Sequence, residues 1–416
     1  LKIAIVGSGI AGLTAAYTLQ KRHDITVFEA ANRLGGHTAT IEVSVDDSQY
    51  QIDTGFIVYN DWTYPNFIAL MDELGVRWRD SDMSFGMHCA VSGLQYAGVD
   101  GRFAMVNALF AQRRNLFSPS YLRMLLDILR FNKQAIADTV NDQIPDETLH
   151  QYVTRLKLSK MFTEYYLVPM CSAIWSTPFL NMYEFPMRFM LPFMYNHGLL
   201  SVDNRPRWRT LQGGSQAYLA PISAGFADRI RLGTAVTGIT RETDSVRLYF
   251  ADQSEQFDQV ILACHSDQSL ALLRDPADSE TDILSAIRYQ PNDVVLHTDT
   301  AVMPPNRRAW ASWNYHLESK RTGLPRVTYD MNRLMGIQSN QRFLVSLNDS
   351  DRIRPGKILG RFEYAHPIFD TAAAHAQTQW SAINGVNRTW YCGAWWGKGF
   401  HEDGVVSALR VAKALV

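Results

Sequence analysis

The sequence predicts an α/β protein built around a Rossmann-type nucleotide-binding domain, and three observations carry that prediction. The first 30 residues run strand, glycine turn, helix, strand; a strand recurs at 257–263, apolar without a break from Val260 to Ala263; and the chain closes on a strand, a glycine and a helix. Strands buried on both faces of a parallel sheet read as unbroken apolar runs, whereas half-exposed strands alternate.

Taken in order, Lys2-Ile3-Ala4-Ile5-Val6 reads as a buried strand, 10–22 as a helix and Ile25-Thr26-Val27-Phe28 as the second strand. Residues 41–45 and 50–52 flank Asp46-Asp47-Ser48 as a hairpin that leads into Asp53-Thr54-Gly55-Phe56. From 103 to 200 the pattern turns helical, dense in Met, Phe and Tyr and punctuated by Pro119, Pro145, Pro169, Pro178, Pro186 and Pro192. After Gly213-Gly214 strands return at 246–250 and 257–263, and 290–380 look like a mixed sheet rich in aromatics, among them Trp310, Trp313 and Tyr315. A last helix is expected over 404–415. The expected division is a nucleotide-binding domain from 1–60, 205–270 and 385–416, a mostly helical substrate or cap subdomain at 61–204, and a mixed-sheet substrate domain at 271–384.

Composition narrows the function. A net charge of −1 over 416 residues lacks the basic excess of a nucleic-acid binder. The four cysteines (Cys89, Cys171, Cys264, Cys392) are far apart, without the spacing of a disulfide framework or a metal site, which suits a reducing cytoplasm. The chain opens directly on a strand pattern, so no signal peptide is expected, and no apolar run approaches the length of a membrane span.

The chemistry begins at Gly7-Ser8-Gly9-Ile10-Ala11-Gly12, between strand and helix, with Glu29 ending the next strand. Gly7 permits the turn, Gly9 lets the backbone approach a diphosphate at the helix N-terminus, Gly12 allows close packing, and Glu29 can accept from ribose hydroxyls. This fingerprint alone fits FAD or NAD. Arg33-Leu34-Gly35-Gly36 follows, two glycines for a second close approach and an arginine able to pair a phosphate. No second fingerprint follows a strand in mid-chain, which speaks against a separate NAD(P)H domain.

Together with Gly393-Ala394-Trp395-Trp396-Gly397-Lys398-Gly399-Phe400-His401-Glu402-Asp403-Gly404, these motifs resemble the flavin amine oxidase and phytoene desaturase superfamily. The resemblance implies an amine-oxidase-like fold, one FAD per chain, and cofactor contacts at Gly7, Gly9, Ile10, Ala11, Gly12, Glu29, Ala30, Arg33, Gly35, Gly36, His37, Thr54, Gly55, Val236, Gly393, Asp403, Gly404 and Val405. Asp53-Thr54-Gly55-Phe56-Ile57-Val58-Tyr59-Asn60, Ala173-Ile174-Trp175-Ser176 and Gly213-Gly214-Ser215 are similar to a bacterial NAD/FAD-binding, amine-oxidase-like branch. That branch often travels with cyclopropane-fatty-acid-synthase-like methyltransferases, which implies unsaturated or methylated acyl substrates.

Monoamine oxidases set two tyrosines as a cage before the flavin; here the matching position holds Phe400 or His401. No cysteine is placed for a covalent flavin link, so FAD is expected to bind non-covalently, with His366 the remaining suspect for attachment. His401, beside Glu402 and Asp403, is a candidate proton relay or a helix cap, and Lys398 a candidate partner of flavin N5 or a solvated side chain. Phe56, Trp175, Trp313 and Phe400 are candidate substrate contacts.

The expected activity is FAD-dependent oxidation or desaturation, with hydride passing from an apolar, fatty-acyl or lipid-like substrate to flavin N5 and electrons leaving to oxygen or an external carrier. The alternatives are a flavin amine oxidase in which Phe400 and Trp395 replace the cage, and a flavin- or lipid-binding protein without turnover. Apolar positions at Phe103, Met105, Leu109, Phe110, Leu122, Leu125, Leu126 and Leu129 alternate with Arg113, Arg114, Arg123, Arg130 and Lys133. That pattern leads to an expectation of peripheral contact with the inner membrane surface.

Overall fold

The computed structural model describes residues 1–45, 47–201, 205–319 and 323–415. Asp46 of the expected hairpin turn, and 202–204, 320–322 and Val416 of the expected domains, lie outside the described residues. Lys2–Val6 is the central strand of a five-stranded parallel sheet. Asp24–Phe28 and Gln259–Leu262 flank it, with Ile230–Arg231 and Thr389–Tyr391 at the edges. Ile3, Ala4, Ile5, Val260, Ile261 and Leu262 are completely shielded from water, which is why these strands carry no alternation.

Two helices from opposite ends of the chain, Ile10–Leu19 and His401–Leu415, pack on each other over one face of this sheet. Gly404 sets how close they come: a Cβ there would stand 2.8 Å from Ile10 Cγ2. The opposite face is covered by a three-stranded antiparallel sheet of Gly238–Arg241, Val246–Tyr249 and Ser254–Phe257. The hairpin forms as Thr40–Val45 against Ser48–Asp53.

The expected mixed sheet has seven strands, in the order Ile358–Pro367, Tyr289–His297, Leu344–Leu347, Arg326–Asp330, Trp313–Leu317, Phe85–Cys89 and Gln95–Gly98. The last two come from 61–204, the stretch expected to be mostly helical, and Phe85–Cys89 pairs with Trp313–Leu317 in parallel. Their brevity and the glycines Gly86, Gly93 and Gly98 leave no period for sequence reading to detect. The rest of that stretch supplies the helices, including Pro119–Val140, Leu149–Arg155, Val168–Trp175 and Met187–Asn196, which share one core with the seven-stranded sheet. Among the described residues no helix is long and apolar enough to cross a membrane.

Candidate functional site

The parallel strands end along one edge, and there the chain turns from Lys2–Val6 into its first helix. Gly7 sits at φ +104°, a conformation L side chains rarely adopt, and its N–H bonds the Phe28 carbonyl at 2.8 Å. A Cβ on Gly12 would fall 1.9 Å from the Gly7 carbonyl oxygen, so helix and turn are in direct backbone contact. The helix has Gly9 as its cap, without a side-chain hydrogen bond, and no acid in its first turn. Its leading N–H groups therefore face the open edge without a side-chain acceptor, the arrangement that binds anions.

Gly35 and Gly36 lie against this turn at φ +109° and +57°, with Gly35 N–H donating to the Ser8 carbonyl at 3.1 Å. Gly36 is exposed and Gly7 and Gly9 partly so, in a neighbourhood that is otherwise buried. These glycines lie at the C-terminal ends of the parallel strands, where open α/β sheets take their ligands in a groove. A backbone cradle at an unpaired helix N-terminus fits a dinucleotide cofactor.

Glu29 accepts Ser8 N–H at 3.0 Å, the Ser8 hydroxyl at 2.6 Å and Ala31 N–H at 2.8 Å, tying the glycine turn to the second strand. Arg33, expected to pair a phosphate, is exposed and donates to the carbonyls of Leu34 (3.3 Å), Thr38 (3.1 Å) and Gly36 (2.8 Å). The tight second turn leaves carbonyls without helix or sheet partners, and the guanidinium fork satisfies them. Exposed Ala30 and buried Val236 border the same end: the loop before Val236 bonds Glu29, Thr234 N–H to the Glu29 carbonyl at 2.9 Å.

The chain then carries His37 in among three more rings, 5.2 Å from Tyr364, 5.6 Å from His265 and 6.1 Å from His366, centroid to centroid. Its Nε2 is sealed from solvent with no hydrogen-bond partner among the described residues, an orphan that an occupant of the groove would satisfy. Burial pushes His37, His265 and His366 each down to about 4, so all three imidazoles are neutral near pH 7. His366 Nδ1 is engaged by the Ser176 hydroxyl at 2.9 Å and His265 stacks on Tyr289 at 4.2 Å. Thr54 bonds the Tyr364 hydroxyl at 2.9 Å, and Gly55 passes so close that a Cβ would meet the His37 carbonyl at 2.1 Å.

The C-terminal motif closes the groove. Gly393 N–H bonds Ser407 Oγ at 2.9 Å, and Gly404 and Val405 are buried on the last helix, Gly404 against Ile10 and Ala11. That helix begins at His401, three residues before the expected start, with the Asp403 carboxylate accepting Phe400 N–H at 2.9 Å. Burial raises Asp403 to about 6. His401 points inward, stacked on Phe56 at 3.6 Å with Nε2 3.1 Å from the Thr38 hydroxyl, and burial pushes it down to about 3. Glu402 accepts Asn66 N–H (3.0 Å), Asn66 Nδ2–H (2.6 Å) and Phe67 N–H (2.8 Å) at the start of helix Pro65–Glu73. His401, Glu402 and Asp403 reach separate partners, because successive helical residues point about 100° apart. Phe56 likewise packs against His401 and Phe67.

Phe400 faces a cleft of about 860 Å³ lined also by Trp62, Ile136, Tyr195, Leu200, Lys398 and Asp403. It stacks on Phe193 at 5.4 Å, and Phe193 lies 4.8 Å from Trp175, which is 6% exposed. Trp175 thus stands one ring behind the cleft wall. Trp313 belongs to the seven-stranded sheet, edge-on to Tyr329 at 4.9 Å, on a strand packed against the helix of Trp175. Lys398 is not a solvated surface lysine: it is half-buried over the Phe193 ring at 5.7 Å, and burial lowers its pKa while Asp403 opposes the shift. Trp395, the proposed cage partner of Phe400, is buried with its Nε1–H on the Cys264 carbonyl at 3.1 Å, inside the core. Cys392 is also sealed in the core and burial raises its thiol. Trp310 donates to the Pro304 carbonyl at 2.7 Å and packs on a separate small core.

The sequence did not single out His197 and Ile136 in the cleft or His265 and Tyr289 around His37. Only His265 had a signal, since it follows a strand of the parallel sheet at its C-terminal end. Among the described residues no cluster of His, Cys, Asp and Glu could hold a metal ion.

The family profile described as flavin containing amine oxidoreductase matches residues 10–326. Comparison with curated proteins found no match. Among solved structures the chain is similar to cyclohexylamine oxidase from Brevibacterium oxydans, at 15% identity and a TM-score of 0.67 over 100% of this chain and 99% of that one. It is similar to a CLA-producing fatty acid isomerase from P. acnes, at 16% identity and a TM-score of 0.69 over 100% and 98%. A putrescine oxidase bound to putrescine gives 14% and 0.68 over 100% and 99%. At these identities the likeness is one of fold.

Proposed function

The chain belongs to the flavin-containing amine oxidoreductase family, and from that premise we propose that this FAD-dependent oxidoreductase acts on an apolar acyl chain carrying an acidic group. The single observation that carries the substrate reading is the cleft wall, where Phe400, Trp62, Tyr195, Leu200 and Ile136 surround a half-buried Lys398, while the two acids of the lining are engaged by backbone, Glu402 by Asn66 and Phe67 N–H and Asp403 by Phe400 N–H. An ammonium substrate would meet a like charge there in a poorly solvated place, whereas a carboxylate or phosphate would be paired. The fatty acid isomerase shares this fold, which is consistent with such a substrate.

The residues that would hold non-covalent FAD are the two glycine turns, Glu29, His37, the 54–55 segment and the start of the last helix. FAD, when bound, supplies the hydride acceptor. The protein's own part is to bind, orient and exclude water. The N–H groups after Gly9 would hold the diphosphate, Glu29 would accept from the ribose, and His37 Nε2 would gain the partner it lacks. Phe400 and the rings behind it keep the cleft dry on the substrate side. His401, neutral and bonded to Thr38, is a positioning residue that holds Phe56 and the helix start in register.

A second reading, oxidation of small amines, is favoured by the two amine oxidases that share the fold. Titrating the holoprotein with a long-chain fatty acid and with a diamine while following the flavin spectrum separates the two readings. The acyl reading expects a saturable perturbation by the fatty acid that Lys398→Met weakens about tenfold or more, on the scale of one charge-assisted contact. A response to the diamine alone would sink it.

A further inference from the structure

We propose that segment 102–117 and the outer stripe of helix Pro119–Val140 form a docking surface for an anionic lipid bilayer. Four of the expected apolar positions are not in the core: Phe103 is 95% exposed, Leu122 39%, Leu126 58% and Leu129 57%. Val106, Leu116 and Phe117 join them, Phe117 at 85%. Along the helix, Leu122, Leu126, Leu129, Lys133, Ile136 and Val140 follow steps of four and three, so they share one face. From Leu122 to Lys133 that face is turned away from the core, which the same helix meets through Tyr121, Met124, Phe131 and Ala135; Ile136 is partly buried against it.

The charge around this face identifies the occupant. Residues 102–140 hold six basic side chains and two acids, Asp127 and Asp138, both buried, in a protein whose net charge is −1. All six, Arg102, Arg113, Arg114, Arg123, Arg130 and Lys133, are exposed. Asp127 receives Arg123 at 3.0 Å and Arg130 at 2.8 Å, which anchors two of the arginines while leaving about half of each exposed. A second copy of the chain, docked face to face, would bring this basic set against itself. An anionic bilayer takes both halves of the pattern, apolar side chains among the acyl chains and arginines among the headgroups.

The stripe runs on to Ile136, which lines the cleft beside Phe400. Passage of a lipid from the bilayer along this stripe rests on the acyl-substrate reading; the docking surface itself does not.

The test is co-sedimentation of the holoprotein with phosphatidylglycerol/phosphatidylcholine vesicles and with phosphatidylcholine alone, at low and high salt. Phe103→Asp/Phe117→Asp and Arg113→Glu/Arg114→Glu are run alongside, with FAD content and the thermal midpoint as checks of folding. Binding only to anionic vesicles, lost at high salt and reduced about tenfold or more in either variant, is the expected result. No binding, or equal binding by variants that keep their FAD, overturns the proposal. So does a wild-type dimer that the phenylalanine variant converts to a monomer, which would make this face an interface between copies. A protein that binds vesicles while fatty acids leave its flavin spectrum unchanged would keep the surface and lose the substrate reading.

Discussion

Replacing Gly12 by alanine tests the cradle at its tightest point. The added Cβ would lie 1.9 Å from the Gly7 carbonyl oxygen, where ordinary contact begins at 3.4 Å, and that oxygen belongs to backbone that cannot swing aside. The start of the first helix must therefore retreat from the turn by about 1.5 Å. Such a shift takes the N–H groups after Gly9 out of hydrogen-bond range of a diphosphate. Charge-assisted hydrogen bonds are worth roughly 1.5–3 kcal/mol, so losing even one should weaken FAD by roughly 10- to 150-fold. Overpacking adds a stability loss of about 1–3 kcal/mol. The assay is FAD binding to the apoprotein by flavin fluorescence, with the apoprotein's thermal midpoint as control. A Gly12→Ala protein that is folded and binds FAD as tightly as the wild type would refute the assigned role of the first glycine turn.

Three further outcomes follow. Glu29→Ala should lower FAD affinity by about tenfold or more and also the apoprotein's thermal midpoint, because the carboxylate holds Ser8 and Ala31 even without ligand; unchanged values of both would remove it from the site. Acid should destabilise the fold between about pH 6.5 and 4. His37, His197, His265, His297 and His366 at about 4, with His316 and His401 at about 3, are neutral when folded but titrate at 6.5 when unfolded. The unfolded chain thus binds more protons across that window, and stability falls as pH falls. Asp53 and Asp403, raised to about 6, act in the opposite sense below pH 6 but are fewer; thermal midpoints that rise from pH 6.5 to 4.5 would contradict this ordering. Phe400→Ala should raise KM for an apolar substrate several-fold while FAD content stays constant, and a loss of FAD instead would make Phe400 part of the cofactor site.

The nucleotide-binding half was legible because its physics is local in sequence. Apolar runs, a glycine turn and an acid at fixed spacing all report one parallel sheet edge, and the register Ile3–Gln259 or Val260–Thr389 only completes it. The contacts Arg33 makes to the Thr38 and Gly36 carbonyls were not legible, because a loop's unpaired carbonyls leave no trace in sequence. His401 and Phe400 could not be told apart from the sequence; the start of the helix, fixed by Asp403 on Phe400 N–H, turns one ring inward and the other to the cleft. The strands Phe85–Cys89 and Gln95–Gly98 were hidden because their pairing is long-range and their glycines erase the alternation. The half-buried setting of Lys398 was not legible, since nothing near it in the chain foretells the Phe193 ring over which it lies.

The most direct measurement is anaerobic bleaching of the bound flavin by two substrate sets, unsaturated or methylated acyl lipids and small amines, with NADH as a control. Bleaching by the acyl lipids, with amines inert and NADH slow, is the expected result for an apolar cleft guarded by Lys398 and a chain with no second dinucleotide fingerprint. Bleaching by amines alone would contradict the acyl reading, and a flavin that no compound in either set reduces would contradict the proposed chemistry itself.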